Sequence, residues 1–166
     1  MIVVVADTSP LNYLVEINYQ DLLPALYERV LVPAAVVKEL DHPRTPATVR
    51  SWLRQLPDWV VIREVRPAPD PALAGLDPGE HEAIQLAQEE HADLLLMDEK
   101  LGGRLARRRG LAVTGTLGVL VQAARRGLVD MEAAVERLRA TDFRCTPRIF
   151  EQAKERAGEK AGPARL

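Results

Sequence analysis

Two short aliphatic runs, each ending on an aspartate, constrain this chain more than any other feature. Ile2-Val-Val-Val-Ala6 runs into Asp7, and Leu94-Leu-Leu-Met97 runs into Asp98. An apolar run of four or five residues without alternation reads as a strand buried on both faces. Such strands belong to parallel sheets covered by helices on either side. The intervening sequence agrees. Leu11, Leu14 and Val15 follow at helical spacing, with Ser9-Pro10 read as N-cap and first helical position. Further helices are expected over residues 21–27, 33–40, 48–56, 77–90, 100–109, 116–126, 131–139 and 147–157. Short strands are expected over residues 29–32, 59–65 and 111–113. Gly110 and Gly127 stand as helix stops, and the Pro-rich stretch 66–76 reads as a connection. The expected fold is α/β: a three-layer α/β/α sandwich on a mostly parallel, twisted sheet of about five strands. One domain is expected over residues 1–145, followed by a C-terminal helix and frayed tail over residues 146–166.

Composition narrows the function classes. The chain of 166 residues suits one domain with its own core. A net charge of −2 does not mark a strongly cationic nucleic-acid binder, so any such contact must use a local basic patch. Cys145 is the single cysteine, which rules out an intramolecular disulfide and fits a reducing compartment. The apolar start lacks a basic leader and the length of a membrane span. A cytoplasmic protein without a membrane partner is the expectation.

In an open parallel sheet, ligands bind at the carboxyl ends of the strands. Asp7 and Asp98 stand there directly. Glu80 is placed at the same edge by direction, because its helix leads into the strand that ends at Asp98 and must run antiparallel to it. Glu80 also shares a helical stripe with Ala83, Ile84 and Ala87, whereas Glu82 lines up with Gln85, Leu86 and Glu89 on a wetter face. Glu39 shares a face with Val32, Ala35 and Val36 and is aimed inward. Each acid also has a plain structural reading. Asp7 and Asp98 can cap the helices that follow them, Glu80 completes a capping box with Asp77, and Glu39 can be a solvated helix residue. Convergence weighs against those readings, since inward carboxylates at one edge repel and recruit a cation. Oxygen ligands without a His or Cys set suit Mg²⁺ or Mn²⁺ rather than Zn²⁺. Such ions support phosphodiester cleavage.

These residues resemble a known family. Asp7-Thr-Ser-Pro-Leu after a first strand is similar to the opening of PIN domains. Val-Val-Lys-Glu39-Leu is similar to their second acidic motif, and Gly79-Glu80 with Asp98 to their third and fourth. Gly115-Thr-Leu-Gly118 looks like one subgroup, many of whose members are uncharacterised. The resemblance covers about residues 2–128. It implies Asp7, Glu39, Glu80 and Asp98 as catalytic metal ligands for one or two Mg²⁺ or Mn²⁺ ions. It further implies cleavage of single-stranded RNA by a metal-activated water. Ser9 and Thr116 match polar positions near the pocket, although Thr116 also reads as the N-cap of its helix. Many relatives are toxin halves of toxin–antitoxin pairs and often homodimers, so an antitoxin protein and a second copy are the expected partners. Glu80 departs from the family's usual aspartate, and its longer arm bears on how tightly a metal is held.

The remaining candidates are weaker by chemistry. Arg104, Arg107 and Arg108, in the helix after Asp98, are candidate RNA-phosphate contacts, against the reading of a solvated helix face. Aromatic residues are 4% of the chain and do not interleave with these arginines, so no base-stacking platform is evident. His42, His81 and His91 share no metal spacing. Trp52 and Trp59 read as packing residues. A phosphatase of the haloacid-dehalogenase type needs an aspartate where Ser9 stands, and a receiver domain needs a lysine after its last strand. A dinucleotide fold needs glycines after its first strand. The alternative from another class is a catalytically weak PIN-like module that binds RNA or protein.

Overall fold

The computed structural model describes residues 2–66 and 68–159. Five strands alternate with helices. They are β1 (Val4–Ala6), β2 (Val30–Pro33), β3 (Val60–Arg63), β4 (Leu94–Leu96) and β5 (Val113–Thr114). The helices are α1 (Thr8–Glu16), α2 (Leu22–Tyr27), α3 (Ala34–Leu40), α4 (Ala47–Leu53), α5 (Pro78–Glu89), α6 (Lys100–Arg108), α7 (Thr116–Arg125), α8 (Met131–Arg139) and α9 (Pro147–Gly158). A single 3-10 turn, Pro71–Leu73, interrupts the Pro-rich connection. The expected frayed tail lies mostly outside the described residues.

All strands pair in parallel, in the order β3-β2-β1-β4-β5. The chain therefore lays β1 at the centre, builds outward through β2 and β3, and returns to place β4 on the other side of β1. That reversal makes a topological switch point, where the helices after β1 and β4 leave on opposite faces and a crevice opens at the carboxyl edge.

The alternation of the strand residues explains the layers. Val4, Ala6, Val30, Val32 and Leu96 enter one core with residues of α1, α2, α7, α8 and α9. Val5, Leu95 and Met97 face the other way, onto Ala83, Ile84 and Ala87 of α5 and Ala106 of α6. Largely covered on both sides, β1, β2 and β4 have no need of a polar alternation, whereas the edge strand β3 leaves Ile62 exposed. Trp52 and Trp59 pack on each other, ring centroids 6.0 Å apart, beside the first core. Within α6, Gly102 has a packing reason, because a Cβ there would lie 2.7 Å from Met97 Sδ. Gly110 and Gly127 end α6 and α7 at positive φ, as their place after each helix requires. Among the described residues, no helix is long and apolar enough to cross a membrane.

Candidate functional site

Asp7 occupies the N-cap position of α1, two residues earlier than the sequence suggested, because helix geometry begins at Thr8 rather than at Pro10. Its amide donates to Leu96 O at 2.9 Å, which ties the end of β1 to β4. The side chain makes no capping bond. It is 3% exposed, and its Oδ1 is buried without a hydrogen-bond partner. Burial pushes the Asp7 carboxyl up to about 8; the Asp77, Glu80 and Glu39 charges add to the shift and the Thr8 amide opposes it. The capping role open to Asp7 from sequence is therefore not the role its side chain plays.

Glu39 reaches this edge from α3. Its Oε2 accepts from Thr8 Oγ1 at 2.5 Å, and its Oε1 accepts from Gly79 N at 2.9 Å. Gly79 is what permits the second contact, because a Cβ there would lie 2.6 Å from Glu39 Oε2. Burial raises the Glu39 carboxyl, the Thr8 and Gly79 bonds oppose that shift, and Asp77 adds to it. Glu82 is not the solvated bystander that its stripe implied. Leu86 on that stripe is buried, and Glu82 Oε1 accepts from Ala35 N at 3.2 Å. So α3 and α5 cap each other: each donates an N-terminal amide to a glutamate of the other. Both contacts put negative charge where the helix dipole favours it.

Glu80 combines both of its sequence readings. Asp77 Oδ1 accepts from Glu80 N at 2.8 Å and Glu80 Oε2 accepts from Asp77 N at 3.4 Å, the capping box. Yet its charge is felt at Asp7, and its own carboxyl is pushed up to about 7, first by burial and then by Asp77. Asp98 is a cap neither of α6 nor of open solvent. Glu99 caps α6. Asp98 instead accepts from Thr116 N at 2.8 Å and from Thr116 Oγ1 at 2.6 Å. Burial raises its carboxyl, and both Thr116 bonds oppose the shift. Thr116 is fully buried as the first residue of α7, with Gly115 rather than Thr116 in the N-cap position. A Cβ on Gly115 would collide with Asp98 Oδ1.

The structure thus brings Asp7, Glu39 and Glu80 into one electrostatic cluster, with Asp98 at the end of the neighbouring strand and turned onto α7. Two participants were missed from sequence. Thr8 holds Glu39, and the available signal was its place beside Asp7 at a strand end. Asp77, read only as a cap, raises Asp7, Glu39 and Glu80 together. Ser9 is half-buried in the first turn of α1. Arg104 lies mid-helix in α6, while Arg107 and Arg108 occupy its last turn. Because α6 joins two parallel strands it runs antiparallel to them, so its last turn lies toward the amino edge, away from the acids.

Among the described residues, no three His, Cys, Asp or Glu side chains stand ready to grip a metal ion. The donor set nevertheless fits a divalent cation of the hard kind. It is wholly oxygen, its charges oppose one another, and Asp7 Oδ1 is a buried acceptor lacking a partner. Mg²⁺ keeps several waters and needs only one or two protein carboxylates, so a closed three-carboxylate cage is not required.

A family model described as a PIN domain matches residues 3–159. A solved structure of a PilT N-terminus domain protein from the hyperthermophilic archaeon Sulfolobus solfataricus P2 superposes with a TM-score of 0.53 at 18% identity. That match covers 74% of this chain and 93% of the archaeal one, and shows the shared fold. No curated protein matches the sequence.

Proposed function

The chain belongs to the PIN-domain family, whose members are generally nucleases, and from this premise we propose that it is a metal-dependent endoribonuclease acting on single-stranded RNA. The observation that carries the proposal is the unpartnered, buried Asp7 Oδ1 beside the charges of Glu39, Glu80 and Asp77. An unpaired carboxylate oxygen is costly in so buried a place, and a cation relieves that cost.

Asp7 would hold Mg²⁺ or Mn²⁺ directly, and Glu39, Glu80 and Asp98 would hold it directly or through its waters. The ion supplies a lowered pKa for water and neutralises charge developing on the phosphodiester. The protein's own contribution is orientation. Thr8 and Gly79 fix both oxygens of Glu39, and Thr116 fixes both of Asp98. Preset carboxylates need not reorganise as charge develops, which is where electrostatic catalysis gains most.

The test compares wild type with Asp7→Asn on single-stranded RNA, with Mn²⁺, with Mg²⁺ and with EDTA. Wild type should cleave only with metal, and Asp7→Asn should be slower by roughly a hundredfold or more, the scale of losing a group that stabilises the transition state. Equal cleavage by both proteins would defeat the assignment. One observation favours the weaker-module reading: Glu39 and Asp98 each engage both oxygens within the protein. That reading requires RNA or protein binding without metal-dependent cleavage.

A toxin role within a toxin–antitoxin pair and a homodimeric state belong to the same proposal. A small neighbouring reading frame whose product silences the nuclease would support the first. Light scattering at twice the chain mass would support the second.

A further inference from the structure

The acid site does not end at Glu39. A groove of about 340 Å³ adjoins it, lined by Asn12, Glu39, His42, Arg44, Thr45 and Asp142 among others. That is the lower end of the range of small-ligand pockets, about 300–1,000 Å³. One wall is the turn between α3 and α4, and this turn is tightly tied. Thr45 N donates to His42 O at 2.9 Å, Thr45 Oγ1 donates to Glu39 O at 3.3 Å, and Arg50 Nε donates to Thr45 O at 3.2 Å. Arg44 N donates to His42 Nδ1 at 3.1 Å. With Nδ1 accepting, the proton of the neutral ring sits on Nε2, which becomes a donor. His42 and Arg44 are both exposed. The turn therefore sets an imidazole N–H and the base of the Arg44 side chain beside the Glu39 carboxylate.

Several other arginines are engaged elsewhere or lie away from the acids. Arg109 is held by Asp70 at 2.6 Å and by Gln88. Arg125 is held by Glu159 and Arg156 O, and Arg137 lies over the Tyr19 ring. Arg107 and Arg108 are at the far end of α6. Among the described residues, no hydrogen bond or ion pair engages the Arg44 guanidinium. The opposite wall carries Asn12 and the Asp142 carboxylate. Asp142 and Glu39 repel a phosphate, so an anion in this groove is driven to the His42–Arg44 wall.

We propose that this groove is the subsite for a nucleotide neighbouring the scissile phosphodiester, with Arg44 and His42 Nε2 binding its backbone phosphate. The strand then leaves the acids across the α3–α4 turn and not along α6. The inference rests on the nuclease reading and deepens it.

The test measures binding of a short, fluorescein-labelled single-stranded RNA of mixed sequence by anisotropy, in EDTA, across a salt series. Arg44→Gln should bind roughly three- to tenfold more weakly and lose about one unit of salt slope, the loss of one phosphate contact. His42→Gln should bind more weakly with a smaller change of slope. The Arg107→Gln/Arg108→Gln double variant should match wild type. Wild-type affinity and slope in Arg44→Gln, absence of RNA binding by wild type, or weakening confined to the α6 double variant would each overturn the groove. The two readings fail separately. Loss of cleavage in Asp7→Asn with unaltered binding by Arg44→Gln leaves a nuclease without this subsite. Arg44-dependent binding with no metal-dependent cleavage leaves the subsite without a nuclease.

Discussion

At the scale of single residues, Asp7 governs how the metal-free protein responds to pH. Its carboxyl is raised to about 8, so between the unfolded value near 4 and pH 8 the folded state holds a proton that the unfolded state has released. Stability falls as pH rises through that window, by at most about 1.4 kcal/mol per pH unit for one proton. Glu80, raised to about 7, acts in the same direction. In EDTA, melting temperature should therefore decline from pH 5 toward pH 8, and Asp7→Asn should flatten the decline and melt higher than wild type at pH 8. Roughly 2–4 °C is expected per kcal/mol in a chain of this size. A wild-type profile rising over that window would sink this account. Repulsion between inward carboxylates, taken alone, predicts the same stabilisation from Asp98→Asn. The structure moves that expectation to Asp7, because Asp98 has two strong acceptor bonds to Thr116 to lose. Asp98→Asn should leave apo stability unchanged or lower.

At the scale of elements, the reciprocal capping of α3 and α5 aims Glu39 at the site. Gly79→Ala should break it. The new Cβ overlaps the Glu39 carboxylate, which must swing away and give up the Gly79 amide. Loss of a charged hydrogen bond is worth about 1–3 kcal/mol, partly offset by alanine's better helix propensity of about 1 kcal/mol. The melting temperature should hence shift little, while Mn²⁺ affinity by calorimetry and the cleavage rate both fall by about tenfold. An unchanged Mn²⁺ affinity would mean that Glu39 does not act at the metal. Helix direction also relocates the cationic surface. Direction placed Glu80 at the carboxyl edge, and the same argument applied to α6 puts Arg107 and Arg108 at the other end.

At the scale of the whole molecule, α9 is more than an appendage. Phe150 and Ala153 enter the core shared with α1, α2, α7 and α8, Arg139 lies over the Phe150 ring, and Arg125 bonds Arg156 O and Glu159. Truncation before Thr146 should cost at least the about 3–5 kcal/mol of removing one buried aromatic side chain, and more for the helix face it uncovers. A truncated chain melting within a few degrees of the full one would make residues 1–145 a self-sufficient domain. The global arrangement also places the site. With β1 central and β4 returning beside it, residues 7 and 98 flank one crevice although 91 positions separate them in the chain.

What the sequence by itself determined follows from periodicity and direction, which are local properties. Unbroken aliphatic runs meant parallel buried strands. Gly110 and Gly127 marked helix ends, and Asp77-Pro-Gly-Glu80 marked a helix start. Asp7 and Asp98 were legible as candidate site residues because a strand end is a position on the chain. Glu80 was legible because its helix had only one way to run. Only the tertiary structure decided what each carboxylate touches. That Glu39 lies between Thr8 and Gly79, that Asp98 turns onto Thr116, and that Asp7 keeps a buried oxygen unpaired all depend on helices packed across the sheet. Such contacts join residues 18 to 40 positions apart, and side-chain periodicity carries no information about which of two neighbouring helices supplies the donor.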